Sequence, residues 1–138
     1  MQIIIGGAHN GKRAYVEKLL STSPHHWVDC SADERSFSTI AEIPHNTLIV
    51  IEHIDSWLEE TDLSETEAVR FILDTIKNRE VVFILTDIGR GIVPMDAAQR
   101  SLRDACGRLY QQLMAQADEV TRIWYGLPQT LKKRGESI

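Results

Sequence analysis

Apolar residues along this chain come in short continuous runs, separated by stretches with helical spacing. Residues 2–6 (QIIIG), 47–52 (TLIVIE) and 81–86 (VVFILT) are apolar at successive positions, which predicts strands buried on both faces of a sheet. Residues 27–30 (WVDC) form a weaker run, and residues 119–126 (EVTRIWYG) predict a last strand. Between these runs the period changes. Val16, Leu19 and Leu20 share one helical face after the first strand. Residues 64–79 predict the clearest helix: Ser64 and Glu67 have the spacing of a capping box, and Val69, Ile72, Leu73 and Ile76 follow at i, i+3, i+4, i+7. Residues 96–117 predict a long helix striped by Leu102, Cys106, Leu109 and Leu113. The tail, residues 132–138, is polar and is expected to fray.

Strands alternating with helices predict an α/β fold, a mostly parallel central sheet of about five to seven strands with helices on both faces. The runs at 2–6, 47–52 and 81–86 should be its central strands. The length of 138 residues suits one domain spanning 1–138. Ligands of such sheets bind at the carboxyl ends of the strands. In this sequence that edge carries residues 6–12, Cys30, Glu52 and residues 86–94.

Composition narrows the function classes. The formal charge is -5 with basic residues scattered, which argues against nucleic acid or an anionic membrane surface as partner. No apolar run approaches the ~20 residues of a membrane span, and the short apolar start is no signal peptide. Cys30 and Cys106 lack metal-ligand spacing and are expected to be reduced thiols of a cytoplasmic protein.

The chemistry begins at residues 6–13, GGAHNGKR, between the first strand and the first helix. The phosphate-loop pattern G-x-x-x-x-G-K-[ST] is met by Gly6, Gly11 and Lys12 and broken by Arg13. Strand, glycine loop and helix follow in the order that the motif needs, so Gly6, Gly7, Ala8, His9, Asn10, Gly11, Lys12 and Arg13 are expected to wrap the phosphates of a nucleotide. Lys12 would reach the outer phosphates as a point charge. Glu52, closing a central strand, is placed to hold the accompanying magnesium, with Asp55 close behind. Arginine cannot ligate that cation. Arg13 either contacts a phosphate bidentately or points away and leaves the metal to water and Glu52. Asp87 is a candidate acceptor of a substrate proton or simply a strand-end turn residue. Arg90, in the loop of Gly89, Gly91 and Pro94, is a phosphate or substrate contact or an exposed loop arginine. Arg103 and Asp104 read as a hydrogen-bonded pair that anchors this loop.

The stretch VVFILTDIGRGIVPMDAAQRSLRDACGRLYQQLMAQADEVTRIWYGLP resembles the adenosylcobinamide kinase / adenosylcobinamide-phosphate guanylyltransferase family. That family's pattern runs approximately V-x-N-E-V-G-x-G-I-V-P, then R-x-F-R-D-x-x-G-x-x-N-Q, A-D-E-V and G-x-P. Gly89, Gly91, Ile92, Val93 and Pro94 match, as do Arg100, Arg103, Asp104, Gly107, Gln111 and residues 117–120. IIIGGAHNGKR is similar to the family's phosphate loop, and LIVIEHIDSWL to its acidic strand and tryptophan turn. The resemblance implies a RecA-like P-loop fold and a kinase that phosphorylates adenosylcobinamide with ATP or GTP and magnesium. It also implies a corrinoid substrate and trimeric assembly. Lys12, Glu52 and Asp87 would be catalytic and Gly89, Arg90, Gly91 and Pro94 a substrate or phosphate loop.

Three departures qualify these expectations. Arg13 stands where the loop hydroxyl would be and should weaken magnesium binding. Asp87-Ile88 replaces the family's Asn-Glu-Val. Between Cys30 and Thr47 there is no H-x-x-x-R-P context for a guanylylated histidine; His25, His26 and His45 read as surface residues. The guanylyltransferase half is therefore expected to be lost. That leaves a kinase of adenosylcobinamide, a kinase of another small hydroxyl compound, or a nucleotide-binding regulatory or partner subunit without catalysis.

Overall fold

In a computed structural model, residues 1–32, 36–87 and 96–137 are described. β1 (Gln2–Gly6), β2 (His25–Asp29), β3 (Leu48–Glu52), β4 (Val81–Thr86), β5 (Glu119–Trp124), β6 (Leu127–Lys133) and β7 (Glu136–Ser137) form one sheet in the order β2-β3-β4-β1-β5-β6-β7. The first five are parallel, and β6 and β7 extend the sheet antiparallel. All three strands expected to be central are interior, each paired on both sides.

Their double-sided apolar pattern has a direct use. Ile3, Ile49, Ile51, Phe83 and Leu85 face one layer, made by α2 (Ile54–Glu60), α3 (Glu65–Ile76), α4 (Ala97–Gln116) and a short 3-10 helix over Phe37–Glu42. Ile4, Val50, Val82, Ile84 and Ile123 face the other, covered by Val16 and Leu20 of the α1 (Lys12–Leu19) segment. Phe37, Trp57 and Phe71 cluster with centroids 5.3–5.8 Å apart. Both long helices start as their sequences specify. Ser64 and Glu67 close a capping box on α3, and Asp96 and Gln99 close another on α4.

Several elements depart from expectation. Leu19 is exposed, because α1 ends there and Val16 and Leu20, four apart, take the sheet-facing stripe. β2 starts two residues early, at His25, as an edge strand with exposed histidines. α2 was not expected; Ile54, Trp57 and Leu58 carry its i, i+3, i+4 signal. In the tail read as frayed, Lys132, Lys133, Glu136 and Ser137 are paired in the sheet. β5 ends in a two-residue turn, Tyr125 (φ 48°) and Gly126 (φ 78°), whose positive φ pair matches a tight hairpin, and β6 and β7 follow. The Lys132 ammonium donates to the Met114 and Ala115 carbonyls, 3.0 Å each, at the end of α4. No helix among the described residues is long and apolar enough to cross a membrane.

Candidate functional site

β1 ends at Gly6 beside β5. A Cβ on Gly6 would lie 2.5 Å from the Ile123 carbonyl oxygen, so this close approach requires glycine. The chain then turns through residues 7–11, with His9 (φ 61°) and Gly11 (φ 87°) in the left-handed region, and enters α1 at Lys12. Lys12 is 8% exposed. Its ammonium donates to the carbonyls of Gly6 (3.1 Å) and Gly7 (2.7 Å). Burial pushes its pKa down, while the carboxylates of Asp55 and Glu52 pull it back up.

The loop opens into a cavity of about 540 Å³, lined by residues 8–14 together with Glu52, His53, Ile84 and Thr86. Glu52 closes β3 and is 5% exposed. Its carboxylate accepts a hydrogen bond from the Arg13 guanidinium, which also reaches Glu17 (3.3 Å) and lies over the Trp27 ring, 4.6 Å from its centroid. This differs from the second course expected of Arg13: its guanidinium does not leave Glu52 free for a metal but pairs with that carboxylate, at the wall of the same cavity.

Sequence reasoning passed over His53 of this wall and Asp29 behind it. His53 (φ 62°) lines the cavity, and its Nδ1 lies 2.8 Å from Asp29 at the end of β2. Burial tends to raise the pKa of Asp29, but hydrogen bonds from Ser31 and His53 outweigh it and hold it below the usual carboxylate value. The signal for this pair was positional: Asp29 and Glu52 close adjacent parallel strands in register. Asp87 follows β4, and its N–H donates to the Gly6 carbonyl (2.9 Å), beside the loop. The Tyr110 hydroxyl of α4 donates to the Thr86 carbonyl (3.1 Å). Gly89, Arg90, Gly91 and Pro94 lie outside the described residues. Arg103 and Asp104 pair on an exposed helix face (3.3 Å). Cys30 and Cys106 are buried free thiols, each pushed up to about 12 by burial.

Magnesium does not fit this arrangement. The position that would offer a hydroxyl is Arg13, and its guanidinium occupies the Glu52 carboxylate. Ligand atoms of Asp29, Glu52 and His53 fall within 4.8 Å of one another, but Asp29 is hydrogen-bonded to His53 and Glu52 to Arg13. A guanidinium at that point repels a second cation.

A parallel sheet whose first strand runs through a glycine loop into a helix, with a buried lysine and an acidic strand end facing one cavity, defines a P-loop-type α/β protein. A solved structure from Pyrococcus horikoshii OT3 shares the fold at TM-score 0.57 and 6% identity, over 100% of this chain and 91% of that one. The family described as cobinamide kinase / cobinamide phosphate guanyltransferase matches residues 21–131, and the chain belongs to that family. That match starts after the phosphate loop, so the loop stands on its own geometry. Over 53 residues the chain is 40% identical to the bifunctional adenosylcobalamin biosynthesis protein CobU of Salmonella typhimurium and equally to that of Escherichia coli K12. Each match covers 38% of this chain and 29% of the relative.

Proposed function

We propose that this protein binds a nucleoside triphosphate, ATP or GTP, in the residue 6–13 loop and transfers its terminal phosphoryl group to the hydroxyl of adenosylcobinamide. The observation that carries the reading is Lys12: a buried ammonium held inside a glycine loop by the Gly6 and Gly7 carbonyls. Such a cation exchanges two neutral acceptors for phosphate oxygens at small reorganisation cost. In the transfer, the substrate oxygen bonds to the terminal phosphorus. The bridging P–O bond breaks and its electron pair leaves with the diphosphate. Asp87 takes the hydroxyl proton. Lys12 supplies the positive charge against the phosphates while Arg13 neutralises Glu52 in the place of a cation, so binding depends weakly on magnesium. No histidine carries the family's guanylylation context, so the reaction ends at the phosphate ester.

The Arg13–Glu52 ion pair also favours a second reading, nucleotide binding by a regulatory or partner subunit without transfer, because it leaves no place for the cation that phosphoryl transfer ordinarily uses. The test is nucleotide titration with and without magnesium on wild type and Lys12→Ala, followed by product analysis after incubation with GTP and adenosylcobinamide. Lys12→Ala should weaken binding by about 1–3 kcal/mol, and wild type should yield the phosphate ester and no guanylyl product. Equal affinity in both proteins refutes the site. Binding without ester formation selects the second reading.

A further inference from the structure

The largest exposed aromatic side chains among the described residues stand beside the phosphate loop. Trp124 is 52% exposed and Tyr125 is 76% exposed, and their rings meet edge to face with centroids 5.3 Å apart. Leu127, Trp124's cross-strand partner, is 69% exposed. Among the described residues the ring contacts recorded for them are with each other and with Arg122. The hairpin turn is nevertheless tied to the loop: the Gly126 N–H donates to the Asn10 carbonyl (2.8 Å), and a Cβ on Gly11 would lie 3.4 Å from the Gly126 Cα. Tyr125 also holds a positive φ, a conformation that asparagine or glycine adopts at less cost.

Strand order says which part of a ligand meets this turn. β1, which feeds the loop, lies between β4 and β5. Glu52, Arg13, His53 and Asp87 lie toward the β3–β4 side, where the reacting end of a nucleotide belongs. A nucleoside on the other side of the loop would lie toward β5. Trp124 and Tyr125 stand on that side, beside the loop. The Arg122 guanidinium lies 4.9 Å from the Trp124 ring centroid, and about half of Trp124 remains exposed. Two aromatic rings fixed to a phosphate loop offer stacking for a flat π-system.

We infer that the Trp124–Tyr125 turn is the base-stacking shelf of the nucleotide site. This rests on the reading of residues 6–13 as a phosphate loop, so the experiment separates the two with a ligand that has phosphates and no base. Wild type, Tyr125→Asn, Tyr125→Ala and Trp124→Ala are titrated with ATP and with inorganic tripolyphosphate. Tyr125→Asn suits the positive φ and keeps the turn while removing the ring. Wild type should bind ATP more tightly than tripolyphosphate. The variants should lose roughly 5- to 100-fold in ATP affinity, the range of one base–aromatic stack, and keep their tripolyphosphate affinity. ATP should quench the tryptophan emission of wild type, tripolyphosphate should not, and Trp124→Phe should abolish the quench. Wild-type ATP affinity in Tyr125→Asn and Trp124→Ala overturns the shelf while leaving the phosphate loop standing. Failure of wild type to bind either ligand overturns both. A change in oligomeric mass in the variants with ATP affinity unchanged makes the patch a contact between copies of this chain, and that also overturns the proposal.

Discussion

Replacing Arg13 with serine should destabilise the unliganded protein and make it respond to magnesium. The guanidinium has three partners, and they differ in weight. The Glu17 contact joins side chains 57% and 59% exposed, so it contributes close to nothing. Stacking on Trp27 at a partly exposed site contributes about 0.5 kcal/mol. The Glu52 contact dominates, because that side chain is only 7% exposed and its charge cannot be left to water. A hydrogen bond to a charged group is worth roughly 1.5–3 kcal/mol, and the exposure of the arginine argues for the lower end. The total is about 2 kcal/mol, which for a domain of this size lowers the melting temperature by roughly 6–8 °C. The new hydroxyl stands beside a freed carboxylate. Added magnesium chloride should therefore restore part of the loss in the variant by binding the native state, and leave wild type unmoved. Thermal unfolding followed by circular dichroism, with and without the metal, reads both effects. A variant that melts with wild type and ignores magnesium would show that Arg13 is a bystander and Glu52 needs no partner.

The close approach of β1 and β5 makes Gly6→Ala a sharp test of the loop's anchor. The 2.5 Å contact is with backbone, which no rotamer change relieves, so urea unfolding should show a loss of roughly 1–3 kcal/mol, and an unchanged midpoint would contradict the approach. The depressed pKa of Lys12 has a consequence for binding. A phosphate beside the ammonium raises its pKa back toward the ordinary 10.5, so binding takes up protons and affinity falls as pH rises through the depressed value. Titrations from neutral to alkaline pH should show this fall in wild type and not in Lys12→Ala; a flat wild-type profile would mean that Lys12 stays clear of the bound anion.

What could be read from sequence followed how local the cause was. β1, β3 and β4 announce themselves by apolar runs, because an interior parallel strand is buried on both faces. α3 and α4 do so by stripes and capping residues. The loop at residues 6–13 is a contiguous motif and needs no tertiary knowledge to find. β6 is different: it is mostly polar and exposed, and it exists because the Tyr125–Gly126 turn folds it back on β5. The Asp29–His53 pair was hidden for a related reason. Its members are 24 residues apart, and only the parallel register of β2 and β3 joins them. Arg13 shows the limit of motif reading. The substitution was visible, but which way its side chain turns depends on Glu52, distant in sequence.

The Arg13–Glu52 pair also shows how the acidic strand end is neutralised where the motif is broken. A buried carboxylate at a strand end needs a positive partner, or it takes up a proton to shed its charge. In a loop ending in a hydroxyl, a divalent cation arriving with the nucleotide supplies that charge, and the unliganded protein must do without it. In this chain the charge is covalently part of the loop and present before any ligand arrives. The two substitutable halves are therefore coupled: losing Arg13 alone strands Glu52, and losing Glu52 alone frees a guanidinium beside the phosphate cavity. Glu52→Gln should consequently strengthen, not weaken, the binding of a metal-free triphosphate, since it removes a negative charge from the cavity wall and releases Arg13 toward the ligand. Isothermal titration of ATP in the presence of a chelator measures this directly. Weaker binding by Glu52→Gln would mean that the Arg13–Glu52 pair holds the loop in its binding form, and that the freed guanidinium does not turn toward the ligand.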